Sequence, residues 1–172
     1  IEIRTVVDEF ISSISADCQK SNITFLTPQY NGVLLFTRPM HSSEWSSILF
    51  NFDTNSKKAI YRKGEKGIIG IEWGVSEKMI YLEFSDNGIG IPEEYEERIF
   101  DEFFTTTSAM NYEDIDSVNA VLGTGLGLKI VKDIVESYKG RIFVTSPKNQ
   151  FNTCIRVEIP MLDDKDFEKY GL

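Results

Sequence analysis

Two runs of alternating side chains, separated by a turn, constrain the fold of this chain more than any other feature. Apolar residues recur at every second position over residues 68–75 and again over 79–85, and Ser76, Glu77 and Lys78 lie between the runs. A period of two is typical of a strand with one buried face, and a short polar connection joins two such strands into a hairpin. We therefore predict an antiparallel hairpin over residues 68–85.

Apolar residues on a helical period flank this hairpin on both sides. The pattern predicts helices over residues 5–22, 43–61 and 126–139. Thr5 is the expected N-cap of the first helix, and Ser42 or Ser43 that of the second, because a side-chain oxygen there can accept a hydrogen bond from an unpaired N–H group. The expected core stripe of the second helix comprises Trp45, Ile48, Leu49, Phe52, Ala59 and Ile60.

Several further short segments have the pattern of strands. They cover residues 1–4, 23–26 and 33–36, and a closing hairpin covers 142–145 and 151–159. Helices and antiparallel strands alternate along the chain, and no signal of a parallel crossover is present. The predicted class is therefore α+β, a sheet with helices on one face.

Charge balance and composition narrow the possible functions. In 172 residues, 18 basic and 27 acidic side chains give a formal net charge of −9, which disfavours binding to nucleic acid. With one histidine and two cysteines, a zinc site is not expected, and we interpret Cys18 and Cys154 as reduced, structural thiols. No apolar run reaches the roughly 20 residues that span a bilayer. The chain starts without Met or a targeting pattern, so we interpret it as part of a longer protein.

A polar stripe lies beside the core stripe of the second helix. Asn51, Asn55, Lys58 and Arg62 are spaced by four, three and four residues, whereas Lys57 falls on the far side, which we expect to be solvated. Amide oxygens can bind Mg²⁺, and an ammonium group can pair with phosphate. From this helix alone, an ordinary polar helix edge that makes surface hydrogen bonds is the favoured interpretation.

A carboxylate follows the second strand of the hairpin. Asp86 has the same parity as Ile80, Leu82 and Phe84, so we expect it to lie on the apolar face, where it needs hydrogen-bond donors. The exocyclic amine of a base could supply them, and Gly88 and Gly90 would let a flat ring approach the backbone. The alternative is a simple Asp-Asn-Gly turn.

A glycine-rich segment opens the last helix. Gly123, Gly125 and Gly127 alternate there, and their backbone N–H groups at a helix N-terminus could hold phosphate. The alternative is a simple glycine-rich connector. The polar stretch 105–122 before it has no regular period and is long for a loop in a compact domain, which favours an active-site lid over an unstructured insertion.

Aromatic residues precede this stretch. Phe100, Phe103 and Phe104 could anchor one end of the lid, and we expect at least one of them to be buried in the core.

The four polar and aromatic motifs, in this order, resemble the ATP-binding domain shared by sensor histidine kinases, gyrase, the ninety-kilodalton heat-shock chaperone and the MutL repair protein. NFDTN with Lys58 is similar to the asparagine box, DNGIGIP to the first glycine box, IFDEFFTT to the phenylalanine box and GTGLGLKIV to the second glycine box. The closest resemblance is to the catalytic domain of sensor histidine kinases. It implies a two-layer α/β sandwich of the Bergerat type, with a mixed, mostly antiparallel sheet and helices on one face.

The resemblance implies roles for individual residues. Asn55 would bind Mg²⁺, with Asn51 one turn earlier, Lys58 would contact phosphate, and Asp86 would bind the adenine amino group. The remaining residues of the implied ATP site are Gly88, Gly90, Phe103, Phe104, Gly123, Thr124, Gly125, Leu126 and Gly127.

The resemblance also implies a context for the domain. Residues 1–160 would form the ATP-binding domain and residues 161–172 a tail. The domain would be cytoplasmic, and its parent would be a homodimer, either with or without a membrane anchor. The partners would be ATP, the histidine-bearing dimerisation helices of the parent and a response regulator.

Two departures from the family pattern bear on the reaction. Clamp ATPases of this superfamily have a glutamate where this chain has Asn51, and an amide cannot act as a general base. The lid segment contains Glu113, Asp114 and Asp116 but no Lys or Arg. His41 lacks the acidic neighbour expected of a phosphoacceptor, so we expect the phosphoacceptor histidine elsewhere in the parent chain.

The motifs and Asn51 together favour a protein-histidine kinase domain. The alternatives are an ATP-gated clamp and a nucleotide-binding pseudokinase.

Overall fold

The computed structural model describes residues 1–27, 34–104 and 125–162. In chain order its helices and strands are α1 (Ile3–Lys20), β1 (Ile23–Leu26), α2 (Ser42–Lys63), β2 (Gly67–Ser76), β3 (Met79–Asp86), α3 (Gly127–Ser137), β4 (Arg141–Val144) and β5 (Thr153–Pro160). Two short 3₁₀ turns, Glu93–Tyr95 and Arg98–Phe100, follow β3. The predicted central hairpin is confirmed as β2 and β3, and the closing hairpin as β4 and β5.

The five strands form one sheet in the order β1-β2-β3-β5-β4. Strand β1 pairs with β2 in parallel, and the other three pairs are antiparallel. The sheet is therefore mixed and mostly antiparallel, as the resemblance implied. The expectation of no parallel crossover is wrong, because α2 connects β1 to its parallel neighbour β2. A four-residue strand carries too short a pattern to reveal its direction.

The core lies between the sheet and the helices. On β3, Ile80, Leu82 and Phe84 are buried, and their partners on β5 are Ile159, Val157 and Ile155. The predicted core stripe of α2 packs against this face, with Trp45, Ile48, Leu49, Phe52 and Ile60 buried and Ala59 half-buried. The alternation of β3 places Asp86 on the same face of the sheet.

The opposite face of β3 and β5 carries linked ion pairs. The Arg156 guanidinium donates to Glu83 and Glu158, at 2.8 Å in each case, and lies 3.9 Å from the ring centroid of Tyr81. Lys148 donates to Glu83 at 3.1 Å. Both glutamates are buried beneath these cations.

Lys57 is not on a solvated face, and that expectation is wrong. Its side chain is 21% exposed, lies between α1 and α2, and donates to Asp53 at 2.7 Å and to Asp17. Asp53 is buried. Phe10 of α1 and Phe50 of α2 pack edge to face at 5.3 Å beside this ion pair. The packing of α1 on α2 therefore determines the position of Lys57.

Several predicted boundaries and caps also differ from the structure. Residues 1–4 are not a strand, because α1 begins at Ile3 and the Glu2 carboxylate, not Thr5, caps it by accepting from the N–H groups of residues 4 and 5. His41, not Ser42 or Ser43, occupies the N-cap of α2, and its N–H donates to Glu44.

The predicted strand over residues 33–36 does not form within the described residues. Phe36 makes an isolated bridge to Glu2, as Thr37 does to Met161, while residue 33 lies outside the described ranges. Cys18 and Cys154 are buried free thiols, in agreement with the sequence analysis.

Candidate functional site

The site lies where α2, the end of β3 and the start of α3 approach one another. Asn51, Asn55, Lys58 and Arg62 are all half-buried on α2, at the border between core and solvent. Within residues 1–27, 34–104 and 125–162, the Asn55 carboxamide makes no hydrogen bond. Its oxygen is therefore available as a hard ligand for a cation.

Asn51 connects α2 to α3. Its amide nitrogen donates to the Ser47 carbonyl at 2.7 Å, and its oxygen faces Gly127, the first residue of α3. A Cβ at Gly127 would lie 2.5 Å from that oxygen, so a larger residue there would require the Asn51 side chain to move. The amide thus has a packing role between two helices.

Lys58 provides positive charge at this edge of α2. Burial lowers the pKa of its ammonium group, and the charge of Arg62 lowers it further. In the part of the chain that the structure describes, Lys58 forms no ion pair. A half-buried cation of this kind is suited to an anionic ligand, which would restore the charge balance.

Asp86 is the most buried polar group of the site. It is 3% exposed, accepts from Ser56 Oγ and from the Gly88 N–H at 2.8 Å each, and also accepts from Thr153. Burial raises the pKa of this carboxyl group, and the three hydrogen bonds oppose that rise. The expected position of Asp86 on the apolar face is confirmed, whereas the donors found here come from the protein itself and not from a base.

Sequence reasoning missed both Ser56 and Thr153. Ser56 directly follows Asn55 on α2, and Thr153 is the cross-strand partner of Asp86 at the start of β5. The helical period could have placed Ser56 on the buried side, whereas only the pairing of β3 with β5 reveals Thr153.

Side-chain hydrogen bonds hold the backbone of the turn after Asp86. The Asn87 side chain accepts from the Ile68 N–H at 2.7 Å and donates to the Lys66 carbonyl at 2.9 Å, and Asn152 donates to the Gly88 carbonyl at 2.8 Å. A Cβ at Gly88 would lie 2.6 Å from the Ala59 Cβ, so a side chain there would push α2 away.

Gly90 occupies the left-handed region with φ of 82°, which other residues rarely adopt. The two glycines thus have different roles: Gly88 allows close packing, and Gly90 allows the turn.

The aromatic motif meets the second glycine motif. The Phe103 N–H donates to the Gly125 carbonyl at 3.1 Å, and a Cβ at Gly125 would lie 2.6 Å from the Phe103 carbonyl carbon. Phe103 itself is 67% exposed, whereas Phe100 is buried and Phe104 packs on Tyr95 with ring centroids 5.4 Å apart. The expectation that at least one of these rings is buried is confirmed by Phe100.

Helix α3 begins directly after this junction. Leu126 is its N-cap and gives no side-chain hydrogen bond to the first turn, so the N–H groups from Gly127 onward are not capped by it. Such a terminus favours an anion. The predicted lid, residues 105–122, and the candidate site residues Gly123 and Thr124 lie outside the described residues.

Comparison with known proteins identifies the family. A family model described as histidine kinase-, DNA gyrase B- and HSP90-like ATPase matches residues 41–163. The chain belongs to this family. The match includes α2, β3 and α3, which carry the site described above.

Individual relatives agree with this result. Sensor protein kinase WalK of Staphylococcus haemolyticus (strain JCSC1435) is 35% identical over 130 residues, which are 72% of this chain and 19% of that protein. The chain thus spans about a fifth of the length of this curated relative. The nucleotide-free catalytic domain of histidine kinase ThkA is 25% identical, with a TM-score of 0.69 and 93% of each chain covered.

A second ThkA structure, in complex with response regulator protein TrrA, matches with a TM-score of 0.66 at 23% identity, covering 94% of this chain and 41% of that one. The α+β sandwich and the resemblance to the catalytic ATP-binding domain of sensor histidine kinases are confirmed. No helix among the described residues is long and apolar enough to cross a membrane.

Proposed function

We propose that this domain binds Mg²⁺-ATP and donates the γ-phosphate to a histidine on a separate dimerisation domain of its parent protein. The observation that carries this proposal is the composition of helix α2. Its site-facing edge presents the Asn55 oxygen, which has no hydrogen-bond partner among the described residues, and the half-buried Lys58 ammonium. Its buried side bonds to Asp86 through Ser56. One helix therefore connects a base-binding carboxylate to a phosphate-binding edge.

Asp86 would accept the hydrogen bond of the adenine 6-amino group. The phosphates would then extend along α2 toward Lys58 and the N-terminus of α3, where positive charge and the N–H groups of the first helical turn would bind them. Gly88, Gly90, Gly123, Thr124 and Gly125 would shape the walls around the nucleotide, and Phe103, Phe104 and Leu126 would border the lid, residues 105–122.

A metal ion fits the same edge of α2. Asn55 would supply one amide oxygen to Mg²⁺, and phosphate and water oxygens would complete its coordination. The metal would neutralise charge on the phosphates, and such neutralisation makes a large contribution to the catalysis of phosphoryl transfer. Lys58 adds to this neutralisation, and its contribution is the more important because the lid segment contains no basic residue.

Asn51 favours transfer over hydrolysis. Activation of water requires a base within hydrogen-bonding distance, and an amide cannot accept that proton. Its nitrogen is also engaged by the Ser47 carbonyl. An incoming imidazole has its own lone pair and needs no glutamate on this helix.

The proposed partners follow from this reaction. The phosphoacceptor would lie on dimerisation helices of a homodimeric parent, whose other parts would determine any membrane anchoring of this cytoplasmic domain. The phosphoryl group would then pass to a response regulator, a proposal supported by the ThkA complex with TrrA. Within the chain, residues 1–160 would be the catalytic domain and 161–172 a tail.

Radiolabelled ATP tests the reaction. The chain is incubated with and without the dimerisation helices of its parent, and acid-labile phosphohistidine and free phosphate are both measured. We expect labelled histidine only when the helices are present and little free phosphate in either case. Asn55→Ala should abolish transfer because it removes the proposed metal ligand.

Ser46→Ala is the matched control, since Ser46 is exposed on the same helix and its hydroxyl donates to the Ser42 carbonyl of its own helix. It should transfer phosphate at the unmodified rate. Rapid release of phosphate by the chain alone, with no phosphohistidine after the helices are added, would instead support the clamp ATPase.

A further inference from the structure

Asp86 has a donor on each of its two oxygens. Ser56 Oγ donates to Oδ2 at 2.8 Å, and the Gly88 N–H donates to Oδ1 at 2.8 Å. The Gly88 donor comes from the backbone of the same turn, and Thr153 adds a hydroxyl from β5. Ser56 is thus the side chain through which α2 contacts the carboxylate.

No titratable side chain is placed directly against Asp86 by the described contacts. Ser56 faces it from α2, Thr153 from β5 and Ile69 from β2, and none of these changes charge near neutral pH. The Lys63 ammonium is the charged group next to the turn, and it donates to the Asn87 carbonyl at 3.0 Å. The neutral donors therefore determine whether the carboxyl group is ionised and accepts a hydrogen bond from a ligand, or is protonated and donates one.

The two forms of a carboxyl group recognise different bases. A carboxylate only accepts, so it pairs with the 6-amino group of adenine. A protonated carboxyl group has an O–H that can donate to the 6-oxo group of hypoxanthine. A buried carboxylate that loses a donor shifts toward the protonated form, because fewer hydrogen bonds stabilise its charge.

We propose that Ser56 is a positioning residue that determines base specificity, because its hydroxyl keeps Asp86 an acceptor and so selects 6-amino over 6-oxo purines. This inference rests on the proposed role of Asp86 as the adenine-binding group. It adds a residue that does not touch the base, and it connects base selection to α2, the helix that carries Asn55 and Lys58.

The test measures binding of ADP and inosine diphosphate by calorimetry between about pH 5.5 and 8.5. The proteins are the full chain, Ser56→Ala and the matched control Ser46→Ala, which removes an exposed hydroxyl from the same helix. For Ser56→Ala we expect ADP affinity at neutral pH to fall on the order of five- to tenfold. As the pH is lowered, the ADP affinity of Ser56→Ala should begin to fall at a higher pH than that of the unmodified chain. Its preference for ADP over inosine diphosphate should also be smaller.

Ser56→Cys provides a second variant, since it replaces the hydroxyl by a weaker donor of similar shape. It should shift the pH at which ADP affinity falls, and the preference for ADP, in the same direction as Ser56→Ala but by a smaller amount. Equal pH profiles and equal base preference in Ser56→Ala and Ser46→Ala would overturn the inference. A uniform loss of affinity for both nucleotides at every pH would also overturn it, since that indicates a packing role alone. Absence of ADP binding to the unmodified chain would instead contradict the proposed function itself.

Discussion

Replacing Lys57 by Met should destabilise the domain strongly, because it leaves a buried carboxylate without its counterion. The Asp53 side chain is 6% exposed, and its Oδ2 lies 2.7 Å from the Lys57 Nζ. Its other oxygen is buried and has no hydrogen-bond partner within the described residues. Asp17, the second partner of Lys57, has a side chain that is 64% exposed, so water screens its share of the interaction.

The expected cost follows from this asymmetry. Removing one member of a buried ion pair destabilises proteins by about 3–5 kcal/mol, and we expect Lys57→Met near this range at neutral pH because Asp53 dominates. Replacing both residues, as in Asp53→Leu with Lys57→Met, removes the buried charge as well. That double variant should lie within about 1–2 kcal/mol of the unmodified chain.

The pH dependence has a definite sign. Burial already raises the pKa of Asp53, and loss of Lys57 removes the contributions that lower it, so the folded-state pKa rises further. The folded variant then binds a proton more readily than the unfolded chain. The loss in free energy of unfolding caused by Lys57→Met is therefore fully present above the raised folded-state pKa of Asp53. It diminishes as the pH falls through that value toward the unfolded-state pKa.

Urea unfolding followed by circular dichroism measures these differences. Lys66→Met, which removes an exposed lysine beyond the end of α2, is the matched control and should cost no more than about 0.5 kcal/mol. The reasoning would be refuted if Lys57→Met lost no more free energy of unfolding than the control. It would also be refuted if the double variant were as unstable as Lys57→Met alone.

Three further predictions concern single residues. Asp86→Asn should weaken ADP binding by on the order of 1–3 kcal/mol, because the amide presents a mismatched donor, and unchanged affinity in calorimetry would contradict this. Gly88→Ala places a methyl group 2.6 Å from the Ala59 Cβ, so it should destabilise the fold by about 1–3 kcal/mol and weaken nucleotide binding, as thermal unfolding and calorimetry can measure. Arg156→Leu should cost up to about 3 kcal/mol in urea unfolding, because among the described residues Lys148 is then the one charged partner left to Glu83; a shift below about 0.5 kcal/mol would contradict this.

Patterns within single elements predicted much of the fold and of the site. The alternation of β3 placed Asp86 on the apolar face, and the period of α2 separated the core stripe from the edge that carries Asn55 and Lys58. Both inferences need only the local geometry of one strand or one helix. The order of the motifs then indicated the family, which the comparisons confirmed.

Features that depend on two distant elements were not predicted. The ion pair of Lys57 with Asp17 joins residues 40 positions apart, and it exists only because α1 packs on α2. Thr153 reaches Asp86 through the pairing of β5 with β3, which the sequence pattern does not specify. The cap of α1 was assigned to Thr5 because short hydroxyl side chains are favoured there, whereas the longer Glu2 carboxylate reaches the same N–H groups.

Binding of ADP with and without Mg²⁺, to the unmodified chain and to Asn55→Ala, tests the central claim most directly. The account predicts that the unmodified chain binds ADP, that Mg²⁺ increases its affinity, and that Asn55→Ala loses the increase while still binding the metal-free nucleotide through Asp86. A folded chain that binds no ADP, or an Asn55→Ala variant that keeps the full effect of Mg²⁺, would contradict it.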